Sequence, residues 1–269
     1  MKIEPQHPTV EGAPVDSGDF TLAVTDPSLM AVFDNFVFGE TVEDSGLETR
    51  LRLVVQLGAL IAAQSLRQYR IALGAALTAG LAPIEIKEIV YQCVPYVGMA
   101  KALDFVHATN DVLTERGVEL PLADQSTTTP ETRAADGLAA QKRIVGSEGV
   151  DRMYASAPDD EQHIQRYLSA NCFGDFYTRT GLELKTRELL TLSILVSLGG
   201  ADAQVRGHVL GNINVGNDRS VILDVLTVLL PYVGYPRTLN ALRMLDDVAP
   251  SGSEASGSAN GSAAKAESE

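Results

Sequence analysis

The sequence predicts an all-α protein built from a duplicated helical unit. Three observations lead there. Apolar runs of 11–15 residues recur with helical spacing, as in LVVQLGALIAA from Leu53. Aromatic residues make up 6% and Trp is absent, while Ala and Leu are abundant, which suits closely packed helices better than a β-sandwich. The chain also repeats itself. VPYVGMAKAL from Val94 answers LPYVGYPRTL from Leu230 at an offset of 136 residues, which sets Gln68 on Gln204, Arg70 on Arg206 and Gly80 on Gly216. Upstream, FGE at Phe38 answers FGD at Phe173 at an offset of 135.

Taken in order, residues 1–25 read as a flexible acidic arm. Residues 1–50 carry ten carboxylates against Lys2 and Arg50, the pattern of a solvated segment. Residues 26–118 form the first unit. Its first helix is expected in LETRLRLVVQLGALIAA. The second runs through QYRIALGAALTAG and stops at Gly80, where glycine can adopt a left-handed conformation. The third starts at Pro83, with Glu85 in its first turn, and is expected to end before PYVG, where a glycine bend leads to a fourth. Residues 119–150 read as a linker around the polar LADQSTTTPETR. Residues 151–249 repeat the plan, with LKTRELLTLSILVSLGG, then QVRGHVLGNINVG to Gly216, then a third helix whose cap and dipole complement come from Asn217 and Asp218. The tail 250–269 is rich in Gly, Ser, Ala and Glu and reads as disordered.

The formal net charge of −14 repels phosphate backbones and argues against nucleic-acid binding. The longest apolar stretch is broken by Gln56 and too short to span a bilayer, and the N-terminus lacks a signal-peptide pattern. Two distant cysteines, Cys93 and Cys172, make neither a disulfide framework nor a zinc site and fit a reducing cytoplasm. No histidine pair has metal-ligand spacing, and there is no phosphate loop or nucleophile elbow, so no metal or cofactor is expected.

His208 is the residue most open to a chemical role. Ala201, Gln204 and His208 share one helix face, and Glu188 lies twenty residues upstream, near the start of the preceding helix. In an antiparallel helix pair the two can approach. A carboxylate that orients an imidazole and raises its basicity makes a proton-transfer unit. The alternative is a helix histidine with one hydrogen bond and a first-turn carboxylate serving the helix dipole. Arg206, Arg187 and Arg179 are candidates to bind a substrate carboxylate. The first unit has Ala72 where the second has His208, and Arg52 where it has Glu188, so this pair occurs once. Tyr69 and Arg70 can face a shared pocket, although Tyr69 also fits a packed position. Cys93 reads as core; Cys172 is a weak candidate for a reactive thiol, with only Arg179 to lower its pKa. His7 falls in the arm, His107 reads as packing at a helix end, and His163 as lying on a polar face.

TRELLTLSILVSLGG, GHVLGNINVGN and LLPYVGYPRTLNAL resemble the carboxymuconolactone decarboxylase family, whose wider superfamily includes the alkyl hydroperoxidase D proteins with their peroxiredoxin-type activity. YRIALGAALTAGLAPIEIKEIVYQCVPYVG resembles a second, diverged copy, and together the two cover roughly residues 30–115 and 165–248. The resemblance implies an all-α bundle that oligomerises, here as a trimer imitating a hexamer of single units. It implies a lyase acting on a small carboxylated or lactone-like substrate, with His208 and Glu188 in the acid–base positions. The peroxidase branch uses a Cys-x-x-Cys pair; those positions hold Ala201 and Gln204 in the second unit and Ser65 and Gln68 in the first. Without a thiolate that chemistry has no nucleophile. A redox protein using Cys172 alone and a non-catalytic oligomeric binding protein are the competing readings.

Overall fold

The computed structural model describes residues 19–251. Most of the acidic arm (through residue 18) and the tail from 252 lie outside the described residues. The first unit comprises α1 (Asp19–Thr25), α2 (Pro27–Asn35), a π-helical turn (Phe36–Glu40), α3 (Thr41–Glu43), α4 (Thr49–Ala62), α5 (Leu66–Thr78), α6 (Pro83–Val97) and α7 (Met99–Glu115). Then come α8 (Arg133–Val145), α9 (Ser147–Ser156), α10 (Gln162–Tyr167) and a π-helical segment (Leu168–Tyr177). α11 (Leu184–Leu198), α12 (Asp202–Asn214), α13 (Arg219–Val233) and α14 (Tyr235–Val248) complete the chain. No strand occurs among the described residues.

The duplication is visible in the helix boundaries. The starts of α5 and α12, α6 and α13, and α7 and α14 each lie 136 residues apart, and even the π-helical turns recur. Local chemistry sets the ends. Asp218 caps α13 by accepting a hydrogen bond from the Val221 amide at 3.0 Å. Glu85 reaches back to the Ala82 amide at 2.8 Å.

The third helices do not end before PYVG. α6 and α13 run through Pro95 and Pro231 to Val97 and Val233. A proline removes one amide donor, but the next turn closes around it. The Gly98 amide bonds the Val94 carbonyl at 3.0 Å, and that of Gly234 bonds the Leu230 carbonyl at 2.9 Å. Gly98 and Gly234, at φ 83° and 80°, then stop the helices.

α4 and α11 pack against each other at the centre, α4 buried from Val54 to Ala62 and α11 from Arg187 to Ser197. They also join the two units. Leu190 and Ile194 of α11 belong to the first unit's core, and Val55 and Ala59 of α4 to the second's. Of the stretch assigned to the linker, 119–132 holds no helix, whereas α8 docks on the second π-helical segment. A Cβ on Gly137 would lie 2.0 Å from the Ser169 carbonyl oxygen, so the two backbones touch only because glycine stands there. None of the described helices is long and apolar enough to cross a membrane.

Candidate active site

α11 and α12 bring Glu188 and His208 together: His208 Nδ1 stands 3.0 Å from Glu188 Oε2. Glu188 is fully buried, while the His208 side chain keeps 14% of its surface exposed. A buried carboxylate needs all its acceptor sites served. Here Oε1 accepts the Tyr177 hydroxyl proton at 2.6 Å. That hydroxyl in turn accepts from the Tyr96 hydroxyl at 3.0 Å and lies 2.7 Å from Thr191 Oγ1. Because the Tyr177 proton is committed to Glu188, Thr191 is the donor in that contact. Gln92 Nε2 donates to Thr191 at 3.2 Å, and the Cys172 thiol to Tyr96 Oη at 3.8 Å. Every donor in the chain is thus directed toward the carboxylate.

The second oxygen fixes the histidine. An ionised Glu188 accepts from Nδ1–H, which places the free lone pair of a neutral imidazole on Nε2. Nε2 has no hydrogen-bond partner among the described residues. The Tyr96 ring meets the imidazole edge-on, with centroids 5.9 Å apart at 79°. Asn212, one turn beyond His208, locks the two helices: its Nδ2 donates to the Glu188 carbonyl at 3.1 Å and the His208 carbonyl at 2.7 Å. Gly211 makes room for the carboxylate, since a Cβ there would lie 2.6 Å from Glu188 Oε2. A Cβ on Gly207, beside His208, would meet nothing within 4 Å.

Burial pushes the Tyr96 and Tyr177 hydroxyls well above their ordinary pKa, and the Glu188 charge adds to the effect at both, so they are neutral donors. Burial likewise pushes the Cys172 thiol up to about 12, with the Tyr96 hydrogen bond opposing. A thiol so placed carries almost no thiolate near neutrality. Cys93 is buried in the first unit's core, its Sγ donating to the Ile89 carbonyl at 3.3 Å.

The other candidate residues make no direct hydrogen bond to this pair, although Arg187 is joined to its chain through Gln92 and Thr191. Arg187 points into the core, 1% exposed, donating to Glu88 at 2.8 Å, Gln92 at 3.0 Å and the carbonyls of Arg179 and Thr180 at 2.9 Å; only its Nε lacks a partner. Glu88, 99 residues away, is the reason an arginine can be buried there. Arg179 straddles the same carboxylate at 3.0 Å and 3.2 Å. Tyr69 faces no pocket; it is fully buried, its hydroxyl 2.6 Å from Thr109 and its ring edge-on to Phe105. Arg70 is exposed and pairs with Asp111 at 3.5 Å and Glu115 at 3.8 Å. Arg206, on α12 two residues before His208, is exposed and makes no ion pair among the described residues. His107 lies mid-helix in α7 and is exposed, since the Phe105 face of that helix takes the core. His163 is exposed and stacks edge-on with Tyr167. No group of His, Cys, Asp and Glu among the described residues can hold a metal ion.

Sequence reasoning missed Tyr177, Tyr96, Thr191, Asn212 and Gly211. Tyr96 stood in the PYVG landmark, where its recurrence drew notice but its destination, the other unit, has no local signal.

Comparison with known proteins identifies the family of the two units. The carboxymuconolactone decarboxylase family profile matches residues 27–111 and 162–247. A curated relative, the 4-carboxymuconolactone decarboxylase of Acinetobacter baylyi (strain ATCC 33305 / BD413 / ADP1), is 28% identical over 118 residues, covering 44% of this chain and 87% of its own.

Proposed function

The chain belongs to the carboxymuconolactone decarboxylase family, and on that premise we propose that it is an acid–base lyase acting on a small carboxylated or lactone-like substrate. The observation that carries the reading is an imidazole held by a buried carboxylate through one nitrogen and open at the other. When the C–C bond to a carboxylate breaks, CO2 leaves and the electron pair stays on carbon, where a proton must be delivered. His208 Nε2 is the atom at which that proton enters or leaves. Glu188 is a positioning residue: it sets the ring orientation and offsets the charge of the imidazolium. Arg206 lies two residues before His208, on another face of α12, and has no part in this reading.

Leu210 and Ile213, 41% and 36% exposed on α12, support a homo-oligomer that covers this helix, a trimer of two-unit chains in the reading adopted here. The buried free thiols Cys93 and Cys172 suit a reducing cytoplasm. The raised Cys172 pKa counts against a single-thiol peroxidase.

The test is an assay of carboxylated lactones and β-keto acids with the wild type, His208→Ala and His208→Gln. The glutamine variant can still donate to Glu188, so the buried carboxylate is not left without a partner. Losses of about 100-fold or more in both variants are expected for an acid–base group. Equal turnover in all three proteins removes His208 from the mechanism.

A further inference from the structure

A cavity of about 370 Å³ lies between α6, α7, the segment 120–125 and Arg179, away from Glu188 and His208. We propose that it binds a small carboxylate with a flat apolar body. The chain as a whole is strongly acidic, whereas the lining sets Lys87 and Arg179 against Glu88 and Asp124, with Arg187 buried behind it. Two guanidinium groups, Arg179 and Arg187, share the single buried carboxylate of Glu88. Lys87 adds a third positive charge. It donates to a neutral acceptor, Asn110 Oδ1, at 2.6 Å, and makes no ion pair among the described residues.

The remaining carboxylate, Asp124, is weakly placed. Its Oδ1 is 3.6 Å from Arg179, its side chain is 78% exposed, and it also accepts the Ser126 amide. An exposed pair at that distance contributes little, so Asp124 occupies a position that a ligand carboxylate can take over. Both Lys87 Nζ and Arg179 lie 5.3 Å from the centroid of the Tyr91 ring. A carboxylate bridging the two cations would therefore set the rest of the ligand beside that ring. Ile84 and Leu122 supply apolar wall. The volume is at the small end of the range for small-molecule sites, which sets the ligand near the size of one ring. Arg187 lies behind the lining, fixed by four acceptors, and by sharing Glu88 it leaves Arg179 less fully neutralised toward the cavity.

The inference does not depend on the decarboxylase reading and is tested by binding alone. Isothermal titration with benzoate as the probe and benzamide as its neutral counterpart is performed on the full chain. Benzoate is expected to bind at least about tenfold more tightly than benzamide, and Lys87→Ala to lose about tenfold, the worth of one charged hydrogen bond. Asp124→Asn is expected to tighten binding severalfold by removing the internal competitor. His208→Gln is expected to bind as wild type. No benzoate binding, no preference over benzamide, an unchanged affinity in Lys87→Ala, or loss in His208→Gln each overturns the proposal; the last would place the carboxylate at the other site.

Discussion

The two units share a scaffold and differ at one constellation. Where the second has Glu188, Thr191, His208 and Asn212, the first has Arg52, Val55, Ala72 and Ala76, each 136 residues earlier. Tyrosine alone is common to both, and it is exchanged between them. Tyr96 of the first unit reaches the second unit's Tyr177, whereas Tyr232 of the second packs on the first unit's core and meets Phe33 edge-on at 6.5 Å. The first unit forms the same helices with Val55, Ala72 and Ala76 in place of Thr191, His208 and Asn212, so this frame can fold without those polar side chains. Buried polar groups with no need in the fold point to chemistry.

The sharpest way to break the comparison is to treat both sites alike. His208→Gln is expected to lower turnover by about 100-fold or more, and Arg52→Ala to leave it within a factor of about two. A similar loss in both would mean that the first unit is not catalytically silent. Next in size is Gly211→Ala. The first unit already carries Ala75 at the matching position, but there no carboxylate lies against it. In the second unit the added methyl presses on Glu188 Oε2 and the Ile144 side chain, for a cost of about 1–3 kcal/mol in chemical denaturation. Ala75→Gly is the control, expected to cost about 1 kcal/mol or less through helix propensity alone.

A third test uses pH. Cys172 ionises near 9 when exposed and near 12 in the folded protein. Between those values the unfolded chain has lost the proton that the folded one keeps, so stability is full below pH 9 and falls as pH rises toward 12. Cys172→Ala is expected to flatten that decline, measured as denaturation midpoint against pH. Turnover near neutrality is expected to change less than about threefold, because the thiol only donates to Tyr96. A large loss of activity in this variant would revive the single-thiol reading.

The frame was legible in the sequence because its signals are local. Gly80 and Gly216 stop helices, Asp218 and Glu85 cap them, and the offset of 136 maps one unit onto the other. The Glu188–His208 approach was legible for the same reason, since two successive antiparallel helices restrict which positions can meet. What was not legible depends on partners far along the chain. Arg187 read as a candidate to bind a substrate carboxylate, whereas the carboxylate it binds is that of Glu88, 99 residues away. Pro95 read as a helix end because proline lacks the amide donor, yet the Gly98 amide three residues on still closes a helical bond to Val94. α8 read as linker because its apolar content is low; it docks through the Gly137 backbone contact and through Ile144, which packs with Cys172, Phe173 and Tyr177 of the π-helical segment.

The smallest expected effect tests the exchanged tyrosines directly. Tyr96→Phe removes the donor to Tyr177 and the acceptor of the Cys172 thiol while keeping the ring against His208. Tyr177 keeps its bond to Glu188 and the Thr191 donor, so the cost is that of one hydrogen bond, about 1 kcal/mol, with turnover lowered less than about tenfold. Tyr232→Phe removes a hydroxyl with no hydrogen-bond partner among the described residues, and is expected to change stability by less than about 0.5 kcal/mol and turnover not at all. Denaturation curves and rates on the two variants decide whether the exchange is chemical in one direction only. If Tyr232→Phe slows turnover as much as Tyr96→Phe, the loss in Tyr96→Phe cannot be assigned to its hydrogen bond with Tyr177.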